Sequence, residues 1–142
     1  MQKYFFILLL FSLFSCNKIE NSHSLNQEDI ALIKKLKLLD QNETILKFYS
    51  EYKKQIAGNF FTDKRAASYW VDKRDSSKTI IQFAYYSDIA KIDTVYYAGL
   101  TYCPYALITK KDHTTFKVCV DGNKQEIRSF FEELLLQWKK NR

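Results

Sequence analysis

Glycine and proline are scarce in this sequence, which holds three glycines and one proline among 142 residues. The glycines, Gly58, Gly99 and Gly122, stand far apart, so the sequence has no glycine-rich loop of the kind that binds phosphate groups. It also has no tract of low complexity, and 46% of its residues are apolar. A chain of this length and composition has enough apolar material for one packed domain.

Histidine and cysteine are also few. The two histidines, His23 and His113, have no partners at the spacing of zinc ligands, and the three cysteines include no Cys-X-X-Cys pair. His113 falls at the tip of a predicted hairpin, where a solvent-exposed turn residue is expected instead of a catalytic base. We therefore predict a protein that is not an enzyme, with no catalytic residues, no metal site and no separate cofactor.

An apolar run occupies residues 4–14, after a short start that carries one positive charge at Lys3. These eleven residues are too few for a membrane-spanning helix, which needs about 20, but they suit the hydrophobic region of a signal peptide. The run ends in Leu13-Phe14-Ser15-Cys16, which places a small residue directly before a cysteine. This arrangement resembles the lipobox of bacterial lipoproteins, although Phe14 is larger than the residue usual at its position.

The resemblance implies that residues 1–15 are removed and that Cys16 carries a diacylglycerol and an acyl chain. Such chains together make a durable membrane anchor. Asn17 follows the cysteine, so the aspartate that retains many lipoproteins in the inner membrane is absent. The expected location is therefore the cell envelope, at the outer membrane. The alternative is an ordinary secretory signal cut near Ser15, with Cys16 an incidental thiol.

Residues 17–25 are polar and show no periodicity, which predicts a flexible tether. With the lipidated cysteine, this tether spans residues 16–25. The remaining residues 26–142 are expected to form a single domain. The formal net charge of the sequence is +6. This positive charge indicates either attraction to an anionic lipid or an acidic partner, or only a lysine-rich surface in contact with water. The envelope location argues against nucleic acid.

The first part of the domain has the apolar spacing of helices. One stripe begins at Asn26, and a second runs from Ile45 to Ile56, shortly before Gly58, a residue that commonly ends a helix. Asp40 and Glu43 have the spacing of a capping box between the two stripes. We expect two helices that meet near Asp40, with one long helix as the alternative.

The second part changes to β-branched and aromatic residues separated by polar turns. Strands are predicted over residues 66–71, 79–86, 92–102, 105–111 and 115–120. Asn123 then has the position of an N-cap, with Glu126 three residues later, before an amphipathic C-terminal helix. The class is therefore α+β, with two N-terminal helices, about five antiparallel strands and one C-terminal helix. The second half resembles a pleckstrin-homology-type roll, and a helix-flanked open sheet is the other admissible arrangement.

Cys103 and Cys119 remain if Cys16 is lipidated, and an oxidising envelope would allow them to form a disulfide. A hairpin that turns at Asp112 and His113 would place Cys119 opposite Ala106, with Cys103 three residues further and on the other face. A bulge at Pro104 would bring the two cysteines closer. The sequence leaves open whether they are bridged or are two separate buried thiols.

Tyrosine is abundant in the strand region, and adjacent tyrosines on a strand point to opposite faces. We take Tyr97, Tyr102 and Tyr105 as a candidate surface for a sugar, an anionic lipid head group or a partner protein, the alternative being tyrosines at the rim of the core. The function predicted from the sequence is a membrane-anchored envelope lipoprotein with a non-catalytic binding domain. The alternatives are a tethered immunity or inhibitor protein and a small enzyme with an unrecognised site.

Overall fold

The computed structural model describes residues 18–100 and 102–142, so Cys16 and the signal-peptide region lie outside the described residues. The described part contains two α-helices and seven strands: α1 Gln27–Lys35, β1 Ile45–Tyr49, β2 Ala57–Thr62, β3 Arg65–Trp70, β4 Ile80–Tyr85, β5 Ile89–Val95, β6 Tyr105–Lys110, β7 Thr115–Cys119 and α2 Lys124–Asn141. All neighbouring strands are antiparallel. They form a four-stranded sheet, β1-β2-β3-β4, and a three-stranded sheet, β5-β6-β7. The α+β class is confirmed.

The second predicted N-terminal helix is wrong, because its first residues form β1. A β-bulge between Ile45 and Lys47 explains the error. It brings Ile45 and Phe48 into the same buried cluster although they are three residues apart, which is the spacing of a helix. Gly58 does not end a helix either. It lies in β2 under the ring of Tyr69, where a Cβ atom has no room.

The strand count is also higher than expected, since β1 lies in the region predicted to be a helix and β2 lies between that region and the first predicted strand. The long strand predicted over residues 92–102 ends earlier, at Val95, and a loop follows it. The strands divide between two sheets, so a single open sheet is not formed by the described residues. One N-terminal helix, α1, replaces the two that we expected.

The four-stranded sheet is covered on both faces at β2, where every residue is buried. Phe60 and Phe61 are neighbours on this strand and therefore point to opposite faces. Phe60 packs in a cluster with Ile33 of α1. Phe61 packs in a second cluster formed with the three-stranded sheet and with Phe130 of α2, whose ring centroid lies 5.1 Å away. The sheet therefore separates two hydrophobic cores.

The predicted N-cap of the C-terminal helix is confirmed. Asn123 accepts a hydrogen bond from the Glu126 amide at 2.9 Å, and Glu126 accepts one from the Asn123 amide at 2.8 Å. The buried side chains of the helix are Ile127, Phe130, Phe131 and Leu134. Each contributes about 1.5–3 kcal/mol by leaving water, before entropy is subtracted, so α2 is a large part of the core.

Part of the predicted tether over residues 16–25 is packed against the domain. Glu20 exchanges two backbone hydrogen bonds with Phe48, at 2.8 and 2.7 Å, and the Ser22 hydroxyl donates to the Ile45 carbonyl at 2.8 Å. Ile19 packs against the core, and Leu25 is buried. The predicted tether is therefore too long, because the outer edge of β1 offers backbone partners that the polar composition does not reveal.

Candidate functional site

The loop between β5 and β6 exposes two of the three predicted surface tyrosines. Tyr97 is 83% exposed and Tyr102 is 69% exposed, while Tyr105 is half-buried at the start of β6. Sequence reasoning missed Leu100, which is 100% exposed between them. Its position after Gly99, whose φ is +88°, is consistent with a loop instead of the strand we expected there. We call Tyr97, Leu100 and Tyr102 the aromatic loop.

Lys117 joins two of the predicted tyrosines. Its Nζ atom lies 5.6 Å from the ring centroid of Tyr102 and 4.4 Å from that of Tyr105. Tyr96 points the other way and packs edge-on against Phe131 of α2, with ring centroids 5.1 Å apart. The loop is thus in contact with α2 through Tyr96, which is itself 48% exposed, and carries an aromatic and cationic surface at Tyr97, Tyr102 and Lys117.

A disulfide between Cys103 and Cys119 fixes the end of the loop to β7, with Cα atoms 5.8 Å apart. The predicted hairpin register is wrong by one residue, because Cys119 pairs with Tyr105 and not with Ala106. Cys103 lies two residues before Tyr105, so it is on the same face as Cys119.

The turn explains this register. Lys110 receives a backbone hydrogen bond from the His113 amide and donates to the Thr114 carbonyl, both at 2.9 Å. His113 has a φ of +70°, so the connection is a three-residue turn with a left-handed last residue. Asp112 accepts from the Thr114 amide and hydroxyl, which lowers the pKa of the Asp112 carboxyl.

A short polar chain connects the disulfide with the four-stranded sheet. The Cys119 amide donates to Asn59 Oδ1 at 2.9 Å, and Asn59 Nδ2 donates to Glu51 Oε2 at 2.5 Å. Burial raises the pKa of the Glu51 carboxyl. Asn59 pairs with Tyr49 at the end of β1, so the aromatic loop is tied to the region where β1 ends and β2 begins.

A second surface lies along β4, the edge strand of the four-stranded sheet. Ile81, Phe83 and Tyr85 are exposed on the sheet face that carries α1, since Phe83 pairs with Ala67 of the α1-side core. Helix α1 does not cover β4. A groove of about 460 Å³ separates β4 from the turn between β6 and β7, where Lys110 and Thr114 form part of the opposite wall.

The backbone of β4 also faces this groove. The Tyr86 amide donates to the Lys64 carbonyl at 3.1 Å, so residues of even number on β4 bond to β3. Hydrogen-bonding direction alternates along an antiparallel strand, which turns the N–H and C=O groups of Ile81 and Phe83 away from β3. Within the described residues β4 has β3 as its one strand neighbour. We call this surface the β4 groove.

A buried ion pair supports the aromatic side of the groove. Arg65 is 1% exposed and donates to both carboxylate oxygens of Glu43. Its guanidinium carbon lies 5.2 Å from the ring centroid of Phe83 and 4.7 Å from that of Tyr85. Phe83 and Tyr85 also meet edge-to-face, with centroids 5.7 Å apart. Contacts with the Arg65 guanidinium and with each other therefore hold the two rings in place.

The pKa directions agree with a structural ion pair. Burial alone would raise the pKa of the Glu43 carboxyl, but hydrogen bonds from Arg65 and Thr62 outweigh burial and lower it. Burial would lower the pKa of Arg65, and the hydrogen bond to Glu43 outweighs that effect and raises it. Both groups are charged at neutral pH.

The remaining candidates from the sequence are the two histidines. His23 and His113 are both exposed in turns. No cluster of three or more histidine, cysteine or acidic residues in residues 18–100 and 102–142 is arranged to hold a metal ion. None of the described helices is long and apolar enough to cross a bilayer.

No protein-family model, curated protein or solved structure matches the chain significantly.

Proposed function

We propose that this protein is a lipid-anchored protein of the cell envelope whose domain binds a partner protein without catalysis. The lipobox resemblance at Leu13-Phe14-Ser15-Cys16 supports the anchor, with Cys16 as the lipidated residue and the outer membrane as its location. The β4 groove supports the binding role. The partner places an extended segment in this groove and adds it as a strand to β4.

The observation that carries this proposal is the outward-facing backbone of Ile81 and Phe83 beside a groove. Alternating N–H and C=O groups on a strand edge are complementary to the backbone of another extended chain. A sugar or a lipid head group does not reproduce this alternation. The exposed side chains of Ile81, Phe83 and Tyr85 then provide contacts for apolar side chains of the added strand.

The charges near the β4 groove are of both signs. Lys64 is exposed beside the end of the strand, Lys78 is exposed two residues before its start, and Lys110 lies on the opposite wall. Asp88 lines the same groove, and Lys78 and Lys110 each have an aspartate carboxylate 3.9 Å away, so the partner segment is defined by its apolar residues and not by a net charge.

The architecture of the domain is also part of the proposal. Four strands in one sheet are followed by three in the next and by a C-terminal helix, and the second half of the sequence resembles a pleckstrin-homology-type roll. We propose this roll as the architecture, with α1 as an addition that covers one face of the first sheet. The proposal for the groove depends on the residues of β4 and not on this likeness.

Photo-crosslinking in cells tests the proposal. A photoreactive residue in place of Gln82, which lines the groove, should give one dominant protein adduct. The same residue in place of Leu136, exposed on α2, should not give that adduct. Equal adducts from both positions, or none from Gln82, would contradict the proposal. Mass spectrometry of the adduct then distinguishes a toxin, as an immunity role requires, from another envelope protein.

A further inference from the structure

The described chain enters the domain at the end of β1. From Ser22 to Glu20 it runs beside β1 from Ile45 towards Phe48. Because this pairing is antiparallel, Lys18 lies two residues further in the same direction, towards Ser50. Ile19 lines a surface pocket together with residues at the start of α2. The entry point is therefore beside the end of β1 and the beginning of α2.

The aromatic loop lies at this same end. Cys119, which is bridged to Cys103 of the loop, bonds to Asn59 beside the end of β1. Val120 donates to the Pro104 carbonyl at 3.0 Å, and α2 begins four residues after it. The loop and the entry point thus both lie beside the connection from β7 to α2.

The distance from Lys18 to the proposed lipid is short. Cys16 precedes Lys18 by two residues, and two residues of extended chain span at most about 7 Å. A lipidated Cys16 would therefore hold the end of the domain that carries Lys18 against the bilayer surface. This end is the one from which Tyr97, Leu100 and Tyr102 project into solvent.

The chemistry of the surface suits a lipid interface. Tyrosine side chains are favoured at the level of the head groups, and an exposed leucine gains from contact with acyl chains. Exposed cations accompany them, namely Lys18 at the entry point, Lys117 beside Tyr102 and Lys124 at the start of α2. Anionic head groups attract such lysines.

We propose that the aromatic loop inserts into the head-group region of an anionic membrane and, with the lipid on Cys16, fixes the orientation of the domain. This inference rests on the lipid anchor of the proposed function. It also places the β4 groove away from the bilayer, because β6 runs from the loop at Tyr105 to the groove wall at Lys110. Its six residues separate the two surfaces by about 17 Å.

The test uses the full lipidated chain in vesicles of phosphatidylethanolamine and phosphatidylglycerol. Since Cys103 and Cys119 are bridged and Cys16 is alkylated, Leu100→Cys adds a single free thiol for an environment-sensitive fluorophore. Lys111→Cys, exposed near the opposite end of the three-stranded sheet, is the matched control. We expect a blue shift and several-fold stronger quenching by brominated lipid at position 100, with an unshifted, weakly quenched label at position 111.

Two results would overturn the inference, and they differ in meaning. Mass spectrometry that finds Cys16 unmodified overturns the lipid anchor and the inference together. A lipidated Cys16 with equal, water-like emission from both labels overturns the membrane contact alone. Oxidative footprinting of the unsubstituted protein adds an independent measurement. Vesicles should protect Tyr97 and Tyr102 from oxidation but should not protect Tyr85 in the β4 groove. Equal protection of all three tyrosines would contradict the proposed orientation.

Discussion

Arg65 and Glu43 form a two-point ion pair, with Nε 2.8 Å from Oε1 and Nη2 2.6 Å from Oε2. The Glu43 carboxylate is wholly buried and also accepts from the Thr62 hydroxyl at 2.6 Å. The pair joins the start of β3 to the segment before β1. Because the same guanidinium underlies Phe83 and Tyr85, it connects the stability of the sheet with the shape of the β4 groove.

Removing one partner of this pair should destabilise the domain. Glu43→Gln leaves the buried Arg65 charge without its main partner, and the free energy of unfolding should fall by about 3 kcal/mol or more. Lys47→Ala is the control, because it breaks the more exposed ion pair with Glu133 and should cost less than about 1 kcal/mol. Denaturant unfolding measures both. Equal losses in the two variants would contradict the role assigned to Arg65.

Stability should fall in acid because of Glu43. The pKa of the Glu43 carboxyl in the folded protein lies below the ordinary value of 4.5. Its contribution to the free energy of unfolding is therefore complete above about pH 4.5 and is lost as the pH falls through the folded pKa. Unfolding measured from neutral to acidic pH should show this loss. Glu43→Gln should have a flatter profile in the same range, and an unchanged profile in that variant would assign the acid sensitivity to other carboxyls.

Reduction of the disulfide should lower stability without changing the fold. The sequence separation of Cys103 and Cys119 is 16. Closing a loop of this size stabilises the fold by about 3 kcal/mol, because it lowers the conformational entropy of the unfolded chain. Denaturant unfolding with and without reductant measures the difference. A variant with serine at both positions is the control, since reductant should not affect it. Free thiols in the oxidised protein would refute the bridge.

Removal of α2 should abolish cooperative folding. A chain that ends at Gly122 loses four buried side chains and exposes the core residue Phe61. We expect no cooperative thermal transition in this variant. A chain that ends at Lys139 keeps those side chains together with Trp138, whose indole N–H donates to the Ile89 carbonyl at 3.3 Å, and should unfold cooperatively. A sharp transition in the shorter chain would show that the helix is dispensable.

The sequence predicts the elements that local patterns determine. The N-cap at Asn123 and the apolar stripe of α2 depend on neighbouring residues, and the structure has both. β1 was missed because its bulge gives Ile45 and Phe48 the spacing of a helix. The register of the last hairpin was missed because the left-handed conformation of His113 adds one residue to the turn.

The candidate surfaces were predictable to different degrees. Tyr97 and Tyr102 are exposed, but they lie in a loop and not in the strand from whose alternation they were predicted, and Leu100 carries no local signal of exposure. The β4 groove could not be predicted, because it depends on which strand ends the sheet and on how far α1 reaches across it. Both are consequences of tertiary packing, as is the ion pair between Arg65 and Glu43 that supports the groove.

Strand addition at β4 is tested most directly by the backbone of Ile81. Ile81→Pro removes an N–H that points into the groove while leaving the hydrogen bonds to β3, since proline is tolerated on the outer side of an edge strand. Ile81→Ala shortens the side chain but keeps that N–H. The measurement is the yield of the photo-crosslinked adduct from position 82 in each background, with thermal unfolding to verify that both variants fold. We predict that the adduct persists with alanine and is lost with proline; an adduct that persists in a folded Ile81→Pro variant would contradict strand addition.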